Sequence, residues 1–350
     1  MTELPGKPPL YFKITIAALS LLLFVFLAEA TLRIIDPELF YKNQFFPLNR
    51  DVDFPEFYEK DSKLFWKLRP SRTIESRWFS NLSYQINSKG LRGPEIDQEK
   101  KGIRILALGN SCTFGWGVSY ENCWTVQLQS MLMNANPDNH IEVINAGVPG
   151  YTSFQGKILF EKLTELKPDI VLITYGWNDH WQAGHDISDA EQNTPPKFMN
   201  DIQNELSKLM LYKFIRKITL SLTEDTVIVS LSDLSGRRRV SPEEFSENLK
   251  EIIKTANTNG IKPILLVPPI ASLKNYFRET QSNFHLLHQK YQDVILRVGE
   301  YESFPVVNLQ TVFDNYTDLF EDAHGDPIHF NDHGHQIVAE ELAKAITPQL

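Results

Sequence analysis

Three side chains, widely separated in the sequence, have the types that acyl chemistry requires. Ser111 closes the apolar run Leu108-Gly109-Asn110-Ser111-Cys112-Thr113-Phe114-Gly115, and Asp326-Pro327-Ile328-His329 lies near the C-terminus. A serine hydroxyl becomes a nucleophile when a base takes its proton, and the base needs an acceptor that fixes its tautomer and stabilises the imidazolium. Ser111, His329 and Asp326 fit those three roles. Each also has a plainer reading. A serine after Gly-Asn commonly caps a helix, and the Asp-x-x-His spacing recurs in Asp332-His333-Gly334-His335. The second pair leads straight into an amphipathic run, His335 to Ile346, so Asp332 is expected to cap that helix and His335 to pack or bond structurally. His329 falls in the loop before it, where a base can reach a site. His324 and His333 are read as solvated loop residues.

A developing oxyanion also needs donors. Two segments can supply them: Asn145-Ala146-Gly147-Val148-Pro149-Gly150 through the N–H of Gly147, and Tyr175-Gly176-Trp177-Asn178-Asp179 through the Asn178 amide. Taken singly, these are a turn glycine and a turn asparagine. Trp177, His180 and Trp181, beside Asn178, are candidates to line an acceptor pocket, with packing of the tryptophans as the alternative.

These residues must be positioned by regular elements, and from residue 101 the sequence has the rhythm to provide them. Short apolar runs at Ile103 to Leu108, Ile141 to Ile144, Ile170 to Thr174, Pro263 to Val267 and Val306 to Leu309 predict strands. Between and after them, Trp124 to Met133, Phe154 to Leu166, Pro242 to Ala256, Leu273 to Val298 and Gly334 to Ile346 predict helices. Ser241-Pro242-Glu243-Glu244 combines a capping box with proline at the first helical position. Continuous apolar strands alternating with helices imply a mostly parallel sheet covered on both faces. Ligands of such sheets bind at the carboxyl ends of the strands, where Ser111, Gly147 and Asn178 all fall.

Three regions depart from that rhythm. Residues 180 to 240 form an insertion with a second apolar stretch, Val227 to Leu231, that either shapes the site or is a surface excursion. Residues 36 to 100 form a small lead-in with short alternating pieces at Arg77-Trp78-Phe79 and Leu82 to Ile86. Residues 1 to 35 hold the uncharged run Ile14 to Ala28, preceded by Lys7 and Lys13 and followed by Glu29, Arg33, Asp36 and Glu38. Charge excess before the run predicts a signal anchor with its N-terminus in the cytoplasm and the rest of the chain, residues 101 to 348 included, outside the cytoplasmic membrane. The rival is a cleaved signal peptide, since Ala28-Glu29-Ala30 fits a small-x-small site, although apolar residues resume at Leu32, Ile34 and Ile35.

With 350 residues, 42% of them hydrophobic, the chain can bury a large core. A formal charge of −9 disfavours a nucleic-acid partner. The basic triplet Arg237, Arg238 and Arg239 follows Ser235-Gly236 and reads as an exposed turn. Two cysteines, Cys112 and Cys123, exclude a disulfide framework and offer no paired-cysteine metal signature. No metal or cofactor is expected.

The four segments in order, Gly109-Asn110-Ser111, Gly147, Gly176-Trp177-Asn178-Asp179 and Asp326-Pro327-Ile328-His329, resemble the blocks of the SGNH hydrolase superfamily, also called GDSL esterases and lipases. The resemblance covers roughly residues 101 to 348. It implies a flavodoxin-like three-layer α/β/α fold with a five-stranded sheet. It also implies Ser111 as nucleophile, His329 as base, Asp326 as its partner, and an oxyanion hole from the Ser111 and Gly147 N–H groups and the Asn178 amide. Asn110 stands where the family usually has aspartate, a departure expected to tune activity rather than abolish it. Ile86 to Gly93, together with the N-terminal run, is similar to a bacterial membrane-anchored branch, some members of which act on acyl groups of surface glycans. The implied reaction is hydrolysis of acyl esters on glycan or lipid. Acyl transfer to a glycan hydroxyl, or a binding module without chemistry, are the alternatives.

Overall fold

The structure is a computed structural model that describes residues 9–35, 57–76, 79–223, 235–271, 279–321 and 326–350. It divides into two compact units, Met1–Pro47 with Pro196–Thr226, and Leu48–Pro195 with Val227–Leu350. In chain order the elements begin with the helix α1 (Leu10–Ile34) and the strands β1 (Tyr58–Asp61), β2 (Phe65–Leu68), β3 (Arg72–Glu75) and β4 (Ser83–Ile86). There follow β5 (Ile103–Gly109), α2 (Ser111–Phe114), α3 (Trp124–Ala135), β6 (Ile141–Gly147), α4 (Ser153–Leu163) and β7 (Ile170–Thr174). Next come α5 (Lys197–Leu206), α6 (Met210–Thr223), α7 (Pro242–Thr258), β8 (Lys262–Val267) and α8 (Glu279–Glu302). The chain closes with β9 (Val306–Asn308), α9 (Leu309–Phe313) and α10 (Asp332–Ile346).

In the larger unit the order β6-β5-β7-β8-β9 is parallel throughout, as expected, and is the flavodoxin-like order. Its strands are apolar on both faces because helices cover both. In β5, Ile105 and Ala107 point into a core shared with Trp124, Leu128 and Leu132 of α3 and Val338 and Leu342 of α10. Leu106 and Leu108 point the other way, toward the layer of α4, α7 and α8, and all four β5 residues have no measurable exposure. The strand order reverses at β5, so a crevice opens at its carboxyl end, next to Ser111. Helix α7 starts as its sequence dictates: Ser241 Oγ accepts from the Glu244 N–H, Glu244 Oε2 accepts from the Ser241 N–H, and Pro242 occupies the first position.

The lead-in folds as two antiparallel hairpins, β1–β2 and β3–β4. Arg77, Trp78, His324 and the stretch Val227 to Leu231 lie outside the described residues, as does the start of the helix expected from Leu273. The insertion is zipped at its base. The N–H groups of Ala183, Asp189, Arg239 and Val240 donate to the carbonyls of Arg237, Arg239, Trp181 and Asp179 at 2.8 to 3.1 Å. This ladder corrects the reading of the arginine triplet. Arg238 and Arg239 are buried, Arg239 pairing with both carboxylate oxygens of the buried Asp189, and Arg237 alone is exposed, paired with Glu191.

In the smaller unit, α1 is a 25-residue helix with no buried residue, long and apolar enough to cross a membrane. Glu29 of α1 accepts from the N–H groups of Met210 and Leu211 at 3.0 and 2.9 Å, and so caps α6.

Candidate active site

Ser111 is the first residue of α2, and the capping role belongs to Asn110, whose Oδ1 accepts from the Cys112 N–H at 3.0 Å. The serine is thus left out of the cap, and its hydroxyl lies 2.8 Å from His329 Nε2. His329 Nδ1 lies 2.7 Å from Asp326 Oδ2, while Asp326 Oδ1 accepts from the N–H groups of Ile328 and His329 at 3.2 Å. The second pair of bonds ties the carboxylate to its own loop and fixes the histidine opposite it. Burial pushes the Asp326 carboxyl upward, but the His329 ring and these two N–H groups outweigh it and hold the carboxyl below its usual range. The loop is pinned on both sides: Ile328 and Phe330 pack on the core, and Pro327 O accepts from the Ala271 N–H.

The expected oxyanion donors arrive at the ends of β5, β6 and β7. Gly147 closes β6 against α2, where a Cβ would stand 2.1 Å from Phe114 N, so only glycine permits the approach. Its N–H already donates to Asn145 Oδ1 at 3.0 Å, and it reaches an oxyanion only as a shared bond. Asn178 is held by one amide N–H on Tyr151 O at 2.9 Å. Asp179 accepts from the Ser153 N–H and hydroxyl and from the Gly176 N–H, and this fixes the turn carrying Asn178. Burial raises Asp179 to about 6 against the pull of those bonds.

The three aromatic residues beside Asn178 separate. Trp177 and His180 are 1% exposed, and Trp177 stacks on the buried His288 at 3.6 Å, so both belong to the packed interior rather than an open pocket wall. Trp181 is partly exposed. The plainer histidine readings need one adjustment. His335 is buried with Nδ1 accepting from the Trp124 N–H, and burial lowers it to about 3. The cap of α10 is Asn331, whose side chain accepts from Gly334 N–H, and Asp332 opens the helix instead. His333 therefore sits in the first turn of α10, not in a loop.

Cys112 and Cys123 are both buried and free. Burial, reinforced by the Asp326 charge, pushes the Cys112 thiol far up, and a protonated thiol is no rival to Ser111. Among the described residues no cluster of three metal-ligating side chains occurs.

A residue of the lead-in completes the frame. Arg92 is 2% exposed and donates through one nitrogen to Phe114 O and Gly115 O at 2.5 and 2.6 Å, and through the other to Val118 O at 2.8 Å. Its guanidinium also lies over the rings of Tyr84 and Phe114 at 4.9 and 4.8 Å. It thereby gathers the carbonyls that end α2, just where Gly115 turns the chain at φ 84°. Arg92 lies in the segment Ile86 to Gly93, and nothing in the residues around it signals this task. Isolated bridges from Arg92 to Ile86 and Asn145 were the structural clue, linking the hairpin to β6.

Residues 107–337 match the GDSL-like Lipase/Acylhydrolase family. Over 135 residues the chain is 24% identical to the isoamyl acetate-hydrolyzing esterase of Saccharomyces cerevisiae, a stretch that is 35% of this chain and 55% of that protein. The chain thus spans about half the length of that relative. Among solved structures, a lipase/acylhydrolase from Enterococcus faecalis is similar at 21% identity, covering 71% of this chain and 97% of that one, with a TM-score of 0.45. A catalytic mutant of an acetylxylan esterase from Geobacillus stearothermophilus matches at 17% identity, over 71% of this chain and 96% of that one, also with a TM-score of 0.45.

Proposed function

This chain belongs to the GDSL-like lipase/acylhydrolase family, and we propose that it hydrolyses acyl esters through a covalent acyl-serine at Ser111. The observation that carries the reading is the unbroken run of side-chain contacts from Asp326 through His329 to Ser111, at 2.7 and 2.8 Å. In the productive tautomer His329 Nδ1–H donates to Asp326, and Nε2 accepts from the serine hydroxyl. Ser111 Oγ attacks the ester carbonyl carbon while Nε2 takes its proton. The oxygen turns anionic between the Ser111 N–H, the free N–H of the Asn178 amide and the shared Gly147 N–H. Collapse breaks the carbon–oxygen bond to the alcohol, which leaves with the proton from His329. Water then attacks the acyl-serine with His329 again as base, releasing the acid and restoring Ser111.

The second part of the proposal is place. With α1 as a single span and its N-terminus inside, the catalytic unit lies outside the cytoplasmic membrane, where esters of surface glycans and lipids are the substrates at hand. Support comes from the length and apolarity of α1 and from the charges that flank it.

The experiment is labelling of the purified full chain by a fluorophosphonate, compared with Ser111→Ala and His329→Ala. Labelling of wild type alone is the expected result. Equal labelling of wild type and Ser111→Ala, or no labelling of wild type, overturns the assignment.

A further inference from the structure

Helices α5 and α6 present the wrong side to water. On α5 the buried residue is Asn200, with Gln203 and Asn204 partly buried, whereas Phe198, Ile202 and Leu206 are 63%, 55% and 38% exposed. The same outward apolar stripe continues on α6 through Ile215 and Ile218, at 55% and 44% exposure. A helix packed on a soluble domain turns its apolar stripe inward, so this face is built for an apolar neighbour.

Two further observations identify that neighbour. Glu29, which caps α6, lies nineteen residues after the first residue of α1, roughly 29 Å along a helix rising 1.5 Å per residue. That is about the thickness of a bilayer's hydrocarbon core, so α6 starts at the level where a spanning α1 leaves the lipid. Arg33 pairs with Glu29 and reaches Lys208 O, reinforcing the junction. The second observation is charge. Residues 197 to 223 carry five basic and two acidic residues within a chain of net charge −9. Anionic headgroups favour such a segment. At fourteen residues α6 is too short to span the bilayer itself.

We infer that α5 and α6 form a second membrane-binding element, lying in the headgroup region of an anionic bilayer with their apolar stripe toward the acyl chains. The inference rests on the reading of α1 as a membrane span. Helices of this kind sink about 5–10 Å into the boundary between headgroups and acyl chains.

The test uses the full chain in vesicles of phosphatidylcholine and phosphatidylglycerol, with a fluorescent label on Ile202→Cys or Ile215→Cys. Leu22→Cys in α1 and Lys250→Cys on α7 serve as references, and the native cysteines are buried. The expected result is blue-shifted emission at 202 and 215, quenched more by lipids brominated near the headgroup than near the chain end. Leu22→Cys shows the opposite order, and the shift at 202 and 215 shrinks in vesicles of phosphatidylcholine alone. Iodide quenching at 202 and 215 equal to that at 250, without lipid quenching, overturns the inference. Cross-linking between copies at Ile215→Cys in place of lipid quenching overturns it too, in favour of self-association. Lipid quenching at Leu22→Cys separates the two readings: its loss sinks the anchor and the inference that rests on it, whereas quenching at 22 with none at 202 and 215 sinks the inference alone.

Discussion

Exchange of Arg92 for lysine keeps a positive charge in the same place and removes the fork. The guanidinium makes three bonds, to Phe114 O, Gly115 O and Val118 O, from two nitrogens that a single ammonium cannot imitate. Losing two of them, each worth about 1.5 kcal/mol for a charged donor, gives a destabilisation of about 3 kcal/mol. At the sensitivity of a unit this size, that lowers the midpoint of thermal unfolding by roughly 6–12 °C. The change also reaches chemistry. These carbonyls end the helix that begins at Ser111, and relaxing them lets the hydroxyl drift from its 2.8 Å contact with His329. An Arg92→Lys enzyme assayed well below its unfolding temperature is therefore expected to lose kcat on a chromogenic ester, with KM little altered. Phe114 O retains the Asn145 amide at 3.4 Å, so the turn is loosened rather than abolished. A midpoint within about 2 °C of wild type would refute the energetic argument. A lowered midpoint with unchanged kcat would refute the positioning argument and leave Arg92 a purely structural residue.

Asp326→Asn is expected to lower kcat by about 10⁴-fold, the scale seen when a triad carboxylate becomes an amide, because the amide no longer fixes the required histidine tautomer. Ester turnover at saturating substrate checks this, and a loss below about tenfold contradicts the role assigned to Asp326. Gly147→Ala sets a Cβ 2.1 Å from Phe114 N and 2.6 Å from Thr113 C, both backbone atoms that cannot swing away. It should cost about 1–3 kcal/mol in chemical denaturation and slow fluorophosphonate labelling together. Asp179 provides a pH test. Its folded carboxyl is raised to about 6 from 3.8, so the native state binds more protons than the unfolded state between those values, and its contribution to stability falls as pH rises through that window. Relative to Asp179→Asn, wild type should gain about 3 kcal/mol on going from above pH 6 to below pH 4. Denaturation curves of the pair across that range check it, and a constant difference refutes it.

The sheet was legible because parallel strands buried on both faces write themselves as apolar runs, and the observed strands begin within about a residue of those runs. The Asp326–His329 pair was legible because its geometry is local, three residues in one loop, and Ser111 because it ends a strand. What escaped depends on distant partners. Arg92 acquires its task only when β3–β4 meets α2, and Arg239 is buried only because Asp189 is brought beside it by the ladder at the base of the insertion. The caps fall one position before the residues to which the sequence points: Asn331 caps α10 where Asp332 is expected, and Asn110 takes the capping role that was the plainer alternative for Ser111. Neighbouring Asn, Asp and Ser compete for the same N–H groups, and backbone torsion decides among them. Trp177 and His180 looked presentable beside Asn178, yet Phe284 and His288 from α8 close over them.

The ladder that closes the insertion has a consequence for how such a chain can change. The chain departs after Asp179 and returns at Val240, and these two residues are hydrogen-bonded neighbours. An excursion whose exit and entrance already touch can be lengthened, exchanged or deleted without stretching the strands on either side. Only the part of the insertion beyond the buried Asp189–Arg239 pair is exchangeable on these terms, and because α6 begins on Glu29 of α1, an exchanged segment would also have to meet that carboxylate.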